Sequence, residues 1–245
     1  MILPYLTKRV IEFIAILLLL GQSSWVLGEI GVATILKEAD GIRNPKEDFQ
    51  MLVAISSSDG GEGEFKVMTK GNNRTIVETL APRRDKGRDL LMVDENMWVF
   101  IPKLKRAVRV SLSQKLSGEA ANGDISRMRW ANDYTAKIVN SDEKTWTLML
   151  EANKKGLTYE KIKAFIEKGS FRPLKASYLT KSGKVLKNAE FKDYIPLAGK
   201  VRPSKILITD AIKKERSSTI VIKQMAVKSL PASKFNLSGF QTRSR

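Results

Sequence analysis

Apolar residues recur along this chain with two different periods, and the change of period divides it. Over residues 30–43, Ile30, Val32, Ile35, Leu36, Ala39 and Ile42 fall near one helical face, with Lys37, Glu38 and Arg43 elsewhere. This spacing predicts an amphipathic helix that stops around Gly41 and Pro45. From Phe49 the period becomes two: Phe49, Met51, Val53 and Ile55 alternate with Gln50, Leu52, Ala54 and Ser56, and a Ser-Ser-Asp-Gly-Gly turn follows. The pattern repeats as residues 64–68 turn through 71–73 into 74–80, and as 90–93 turn through 94–96 into 97–101. Further strands are predicted at 106–110, 134–139, 145–151, 157–167, 174–180, 185–194, 205–212 and 218–227. Residues 158–168 suit a strand through Ile162, Ala164 and Ile166 and a helix through Tyr159, Ile162 and Ile166; the neighbouring strands favour the strand. Residues 111–133 lack alternation and contain Gly118, Ala120, Ala121 and Gly123, which reads as a loop with a short helix.

Roughly a dozen strands and one helix make an antiparallel meander the simplest topology. A single sheet that wide must curl, close or split, or its apolar face stays wet. A curved sheet partly covered by helices encloses an apolar interior, filled by side chains or open to an acyl chain. With 245 residues, 42% of them hydrophobic, the chain can bury a sizeable core, and no Pro-rich or Ser-rich linker divides it. One domain over residues 29–245 is expected.

Charge and missing residue types narrow the chemistry. Lys and Arg number 43 against 26 Asp and Glu, a formal net charge of +17, which favours anionic partners. Cys and His are both absent, so disulfides, thiol nucleophiles, imidazole bases and zinc sites needing sulfur or nitrogen ligands are excluded. The carboxylate pairs Asp94 with Glu95 and Asp142 with Glu143 fall at turns, and adjacent strand residues point to opposite faces. No catalytic constellation, cofactor motif or metal site emerges, and a non-enzymatic role is expected.

Residues 1–28 read as a cleavable signal peptide. Lys8 and Arg9 precede an apolar run from Val10 to Leu20 that carries Glu12, and Val26 and Gly28 suit cleavage before Glu29. That run falls short of the roughly 20 residues a membrane span needs. Export implies a bacterial periplasm and weakens a nucleic-acid reading of the charge.

Residues 87–110 place Gly87, Asn96, Met97, Trp98, Phe100, Pro102, Arg106 and Arg109 in one block: a Gly-led strand, a turn, Met-Trp with an aromatic two residues on, Pro, then a basic strand. This block resembles the outer-membrane lipoprotein-sorting (LolA-like) family. Leu80-Ala81-Pro82, Phe171-Arg172-Pro173-Leu174-Lys175 with Ser182-Gly183-Lys184, and the ending Leu230-Pro231 to Phe235-Asn236-Leu237 extend the likeness. It is similar to the broader sorting-like branch more than to the dedicated lipoprotein carrier. The resemblance implies a mainly β fold, a curved antiparallel sheet forming an incomplete, half-open barrel covered by helices, with an apolar cavity for acyl chains. It also implies a periplasmic carrier between an inner-membrane exporter as donor and an outer-membrane acceptor, with a lipid or lipoprotein as cargo.

On that fold the inward candidates are Phe49, Met51, Val53, Ile55, Trp98, Phe100, Trp146, Leu148, Leu150, Ile220 and Ile222. Ordinary core packing explains the same residues, and Trp98 and Phe100 face the interior only if their side of the strand is inward. The helix bearing Ile35 and Leu36 is either a movable lid or a fixed packing helix, and residues 111–133 either a gate or a surface loop. Lys103, Lys105, Arg106 and Arg109, with further basic runs at residues 83–88 and 213–216, are candidates for contact with an acidic partner or lipid headgroups during transient membrane contact, or simply a solvated face. Two other functions remain open on the same fold: an envelope stress sensor or adaptor, and a basic module that binds anionic lipid or polymer on its surface.

Overall fold

In a computed structural model the residues described are 30–71, 73–127 and 129–242. The signal peptide read over residues 1–28 lies outside them. The chain opens with helix α1 (Val32–Arg43), which ends where Asn44 turns extended ahead of Pro45. Six strands follow, β1 (Phe49–Ser57), β2 (Glu62–Lys70), β3 (Arg74–Ala81), β4 (Leu90–Val93), β5 (Asn96–Ile101) and β6 (Arg106–Val110). A small hairpin of β7 (Lys115–Ser117) and β8 (Ala120–Ala121) leads into helix α2 (Asn122–Ser126). Seven more strands complete the sheet: β9 (Tyr134–Ser141), β10 (Thr145–Ala152), β11 (Lys161–Glu167), β12 (Pro173–Leu179), β13 (Val185–Leu197), β14 (Lys200–Asp210) and β15 (Ser217–Val227). Helix α3 (Leu237–Thr242) closes the described chain. The residue 158–168 ambiguity resolves as strand β11, and the 111–133 segment carries the short hairpin as well as the expected helix.

The 13-stranded sheet runs β6-β5-β4-β3-β2-β1-β15-β14-β13-β12-β11-β10-β9. Every pairing joins strands consecutive in the chain except β1 with β15, where Val53 faces Ile222 and Ile55 faces Ile220. That one long-range pair fuses two meanders. It leaves β6 and β9 as the two edges, and residues 111–133 are the connection that leads from one edge to the other. Bulges at Leu52/Val53, Glu64/Phe65, Thr147/Leu148, Phe165/Ile166 and Tyr178/Leu179 add local twist and curl the sheet. The result is a large curved antiparallel sheet that is not closed into a barrel.

The concave face gathers the main hydrophobic cluster. Phe49, Met51, Val53 and Ile55 of β1, Leu148 and Leu150 of β10, and Ile220 and Ile222 of β15 are all at most 2% exposed and belong to it, as does Trp146, stacked on Phe171. The inward parity expected for these nine residues agrees with their placement.

Trp98 and Phe100 require a correction. They lie on the convex face, in a second cluster with Met68, Ile76 and Leu91, covered by Leu230, Phe235 and Phe240 of the C-terminal segment. Phe100 meets Phe240 edge-on at 6.4 Å. The inward positions of β5 belong to Met97 and Val99. Met97 to Ile101 is apolar at every position, so alternation carries no polar marker of which face is wet. Phe100→Ala should therefore cost about 3–5 kcal/mol of stability while leaving any ligand of the concave interior bound; urea unfolding paired with ligand recovery checks this, and loss of ligand without loss of stability would contradict it.

Candidate functional site

The concave face is covered by two elements that divide it. Helix α1 sinks Ile35, Leu36 and Ala39 into the main cluster and packs over β9, β12 and β14. The 111–133 segment lies over the other half, placing Leu112, Ala120, Ile125 and Trp130 in the same cluster. Its small residues are needed for close approach. A Cβ on Gly118, whose φ is +51, would sit 2.0 Å from the Ser57 hydroxyl, and one on Gly123 would sit 1.8 Å from that of Thr158. The Ser218 hydroxyl accepts from the Glu119 N–H at 2.8 Å, and Thr75 donates to the Ser126 carbonyl at 2.8 Å, so the segment is tied to β15 and β3.

The two covers meet through buried polar groups that hydrophobic patterning does not mark. Asp40 accepts hydrogen bonds from the backbone N–H groups of Trp130 and Ala131, both at 2.7 Å, and pairs with Arg43 at 3.4 Å. Arg43, assigned by its spacing to the polar face of the helix, is instead 6% exposed, with its guanidinium 3.9 Å from the Trp130 ring centre. Arg202 reaches from β14 to donate to the carbonyls of Gly41 at 2.8 Å, Ile42 at 3.1 Å and Leu197 at 2.9 Å. It thereby satisfies carbonyls at the C-terminal end of α1 that the helix itself leaves open. The sequence signal for this network is weak: Asp40 and Arg43 at i, i+3 look like a surface pair.

A second charged cluster ties the far end of the 111–133 segment to its neighbours. Arg127 binds Asp133 through two contacts at 2.5 and 2.7 Å, reaches Glu95 at 3.4 Å, and donates to the Asp94 carbonyl. Lys154 bridges Glu95 and Asp133 at 3.2 Å each. Glu95, placed at a turn by the sequence, is thus part of an ion-pair network, whereas Asp142 caps its own turn by accepting from the Lys144 and Thr145 N–H groups.

Among the described residues a groove of about 360 Å³ runs between α1 and residues 129–132 and another of about 380 Å³ along β1, β2 and β15, and two further spaces lie beneath the covers. Beneath Arg43, a pocket lined by Trp130, Tyr134, Tyr159, Tyr178 and Phe191 amounts to about 30 Å³, room for about one water. Between β7 and the inner faces of β2 to β6, a cavity of about 300 Å³ is floored by Phe65, Leu90, Val99, Val110 and Leu116. Its mouth carries Glu62, Arg84, Asp85, Arg88 and Lys115. That volume is at the lower end of small-molecule sites, and the apolar floor with charges only at the mouth suits an amphipathic ligand. None of the inward candidates chosen by periodicity lines this cavity, because its walls come from strands β2 to β6, of which only β5 supplied candidates, and there Trp98 and Phe100 took the place of Val99. Lys103, Lys105, Arg106 and Arg109 are exposed but do not form one face: Arg106 pairs opposite Ile101 on the concave side of β6 and Arg109 opposite Trp98 on the convex side. No helix among the described residues is long and apolar enough to cross a membrane.

A wide, incomplete antiparallel barrel with a helix and a connecting segment over its concave face defines a recognisable class of fold. A LolA superfamily protein from Nitrosomonas europaea is 33% identical, with a TM-score of 0.77, over 83% of this chain and 96% of its own. A putative outer membrane lipoprotein-sorting protein domain from Vibrio parahaemolyticus shares the fold at 19% identity and a TM-score of 0.71, over 85% of this chain and 97% of its own. So does a DUF1329 family protein from Desulfovibrio piger, at 17% identity and a TM-score of 0.71 over the same shares. A family model described as "Uncharacterized protein" matches residues 71–242. No curated protein matches the chain. The chain belongs to the LolA superfamily.

Asp124, half-buried on helix α2 beside the small pocket beneath Arg43, gives the covering segment a pH signature. It accepts from the Ala121 N–H at 2.7 Å and the Tyr159 hydroxyl at 2.8 Å. Burial nevertheless raises its pKa above the ordinary 3.8, against the opposing pull of Lys187 and these two donors. The folded state thus holds this proton more tightly than the unfolded state does. The associated stability is full below 3.8 and is lost as pH rises through the folded value. Asp124→Asn should flatten that decline, so that urea unfolding shows the variant gaining on the parent chain as pH rises from 4 to 8; parallel curves would contradict the assignment.

Proposed function

We propose that this protein is a non-enzymatic periplasmic carrier that shields an acyl chain of a lipid or lipoprotein beneath its 111–133 segment and moves it toward the outer membrane. The observation that carries this reading is the cavity of about 300 Å³, apolar on its floor and charged at its mouth, set against the concave face of the sheet. Membership of the LolA superfamily supports it, as does the name of the Vibrio relative, which refers to lipoprotein sorting.

Affinity in such a site comes from burial, at about 0.8 kcal/mol for each sequestered CH2, and needs no catalytic group. A chain longer than the present cavity accommodates requires the cover to shift. The polar contacts between α1 and residues 129–131 suit that role, because water can replace them when the two elements part. On this reading residues 1–28 are a signal peptide removed on export, residues 29–245 form one carrier domain, an inner-membrane exporter supplies the cargo and an outer-membrane component receives it.

The test is lipid recovery from protein purified out of the periplasm, read by native mass spectrometry and organic extraction. The parent chain should carry an acyl lipid or lipoprotein. Leu116→Trp, which fills the cavity from the half-buried side chain of the β7–β8 hairpin, should emerge empty while its urea unfolding stays cooperative. Equal lipid recovery from the filled variant would overturn the site, and an empty parent chain that binds anionic polymer would favour the surface-binding alternative.

A further inference from the structure

The antiparallel pairing collects most of the basic runs at one end of the sheet. The turns 58–61, 82–89, 102–105, 180–184 and 211–216 all fall at that end. Together they hold eleven Lys and Arg against four Asp and Glu. The turns at the opposite ends of the same strands, 71–73, 94–95, 168–172 and 198–199, hold two of each sign. The turns at the basic end bond to neighbouring strand ends: the Ser58 N–H donates to the carbonyl of Ser217, the first residue of β15, at 2.9 Å and the Ala211 N–H to that of Leu186 in β13 at 3.0 Å. Gly87 lies against Pro102.

The same end carries the most exposed large apolar side chain among the described residues. Ile212 is 70% exposed at the tip of the β14–β15 turn, flanked by Lys213, Lys214 and Arg216, and Leu186 beside it is 39% exposed. The tip is built rather than loose: Asp210 accepts from the N–H groups of Ile212 and Lys213 at 2.8 and 2.7 Å, holding the turn so that Ile212 projects. The mouth of the apolar cavity, with Arg84, Arg88 and Lys115, opens at this end as well.

We infer that this basic end is a docking surface for an anionic phospholipid bilayer, with Ile212 inserting among the lipids and the surrounding Lys and Arg side chains contacting headgroups. An apolar tip ringed by cations matches the membrane interface, where the side chain leaves water and each nearby cation gains from the negative surface potential. A folded acidic protein would match the charge and leave Ile212 without a purpose. Docking in this orientation sets the cavity mouth against the membrane. The inference rests on the carrier reading only for that last consequence.

The test is co-sedimentation of residues 29–245, which contain the whole sheet and both hydrophobic clusters, with vesicles of phosphatidylcholine alone or with about a third phosphatidylglycerol. Binding should need the anionic lipid and should fall steeply between 0.1 and 0.5 M NaCl, as screening shortens the Debye length to a few ångströms. Ile212→Ser, which leaves the charge unchanged, should weaken partitioning about tenfold. Lys213→Glu with Lys214→Glu should weaken it about thirtyfold or more. Lys144→Glu, at an exposed turn outside the basic end, should leave it unchanged. In Ile212→Trp, indole emission should shift to the blue on anionic vesicles and be quenched by lipids brominated near the headgroup. Binding that is indifferent to both Ile212→Ser and the Lys213/Lys214 reversal, or equally sensitive to Lys144→Glu, would overturn the inference. Because lipid retention in the cavity is read on protein free of vesicles, a failure of docking and a failure of the carrier reading give separate results.

Discussion

The pairing of β1 with β15 is the constraint on which the rest depends. It fuses an N-terminal and a C-terminal meander into one 13-stranded sheet and sends the two edge strands, β6 and β9, to opposite ends of it. A sheet of that width with an apolar concave face must be covered. The chain between the two edges is in the right place to cover half of it, and α1, which leads into β1, covers the other half. The site is a consequence of this arrangement: space is left where the short β7–β8 hairpin spans the inner faces of β2 to β6 without filling the gap beneath.

How the covers are held differs from how the sheet is held. The sheet is joined by backbone ladders and aliphatic contact such as Val53 with Ile222, which have no alternative partner in water of comparable quality. The covers meet through Asp40, Arg43, Arg129 and the backbone of residues 130–131, and through Arg202 on the end of α1. Burying charges costs desolvation that their pairing only partly offsets, so this junction adds specificity of seating more than stability. A fold with a rigid sheet and polar-jointed covers can part at the joint while the sheet stays whole.

Much of this was legible where one face of a strand is wet. Phe49 to Ile55 and Trp146 to Leu150 alternate cleanly, and their parity read correctly. β5 did not yield to the same reasoning, because Met97 to Ile101 is apolar throughout and the C-terminal Phe235 and Phe240, more than 130 residues away in sequence, decide which face is which. Residues 111–133 read as a loop with a short helix because they lack alternation and contain Gly118 and Gly123, whereas these positions are small because Ser57 and Thr158 leave no room for a Cβ. The buried charges of α1 were invisible for a related reason: Asp40 and Arg43 acquire their partners from residues 129–131, and nothing local distinguishes them from a solvated pair. The concentration of basic turns at one end required only the strand order, since alternate turns of a meander share an end.

On the proposed function, α1 and residues 111–133 are the parts that yield to a ligand while the sheet does not. Hydrogen exchange by mass spectrometry, on the protein emptied of lipid and again after loading with a single acyl lipid, measures this directly. Loading should change exchange in residues 32–43 and 111–133 and leave β1, β10, β14 and β15 as protected as before. Changes confined to the sheet strands or to the C-terminal segment over Phe100, with both covers unaffected, would contradict it.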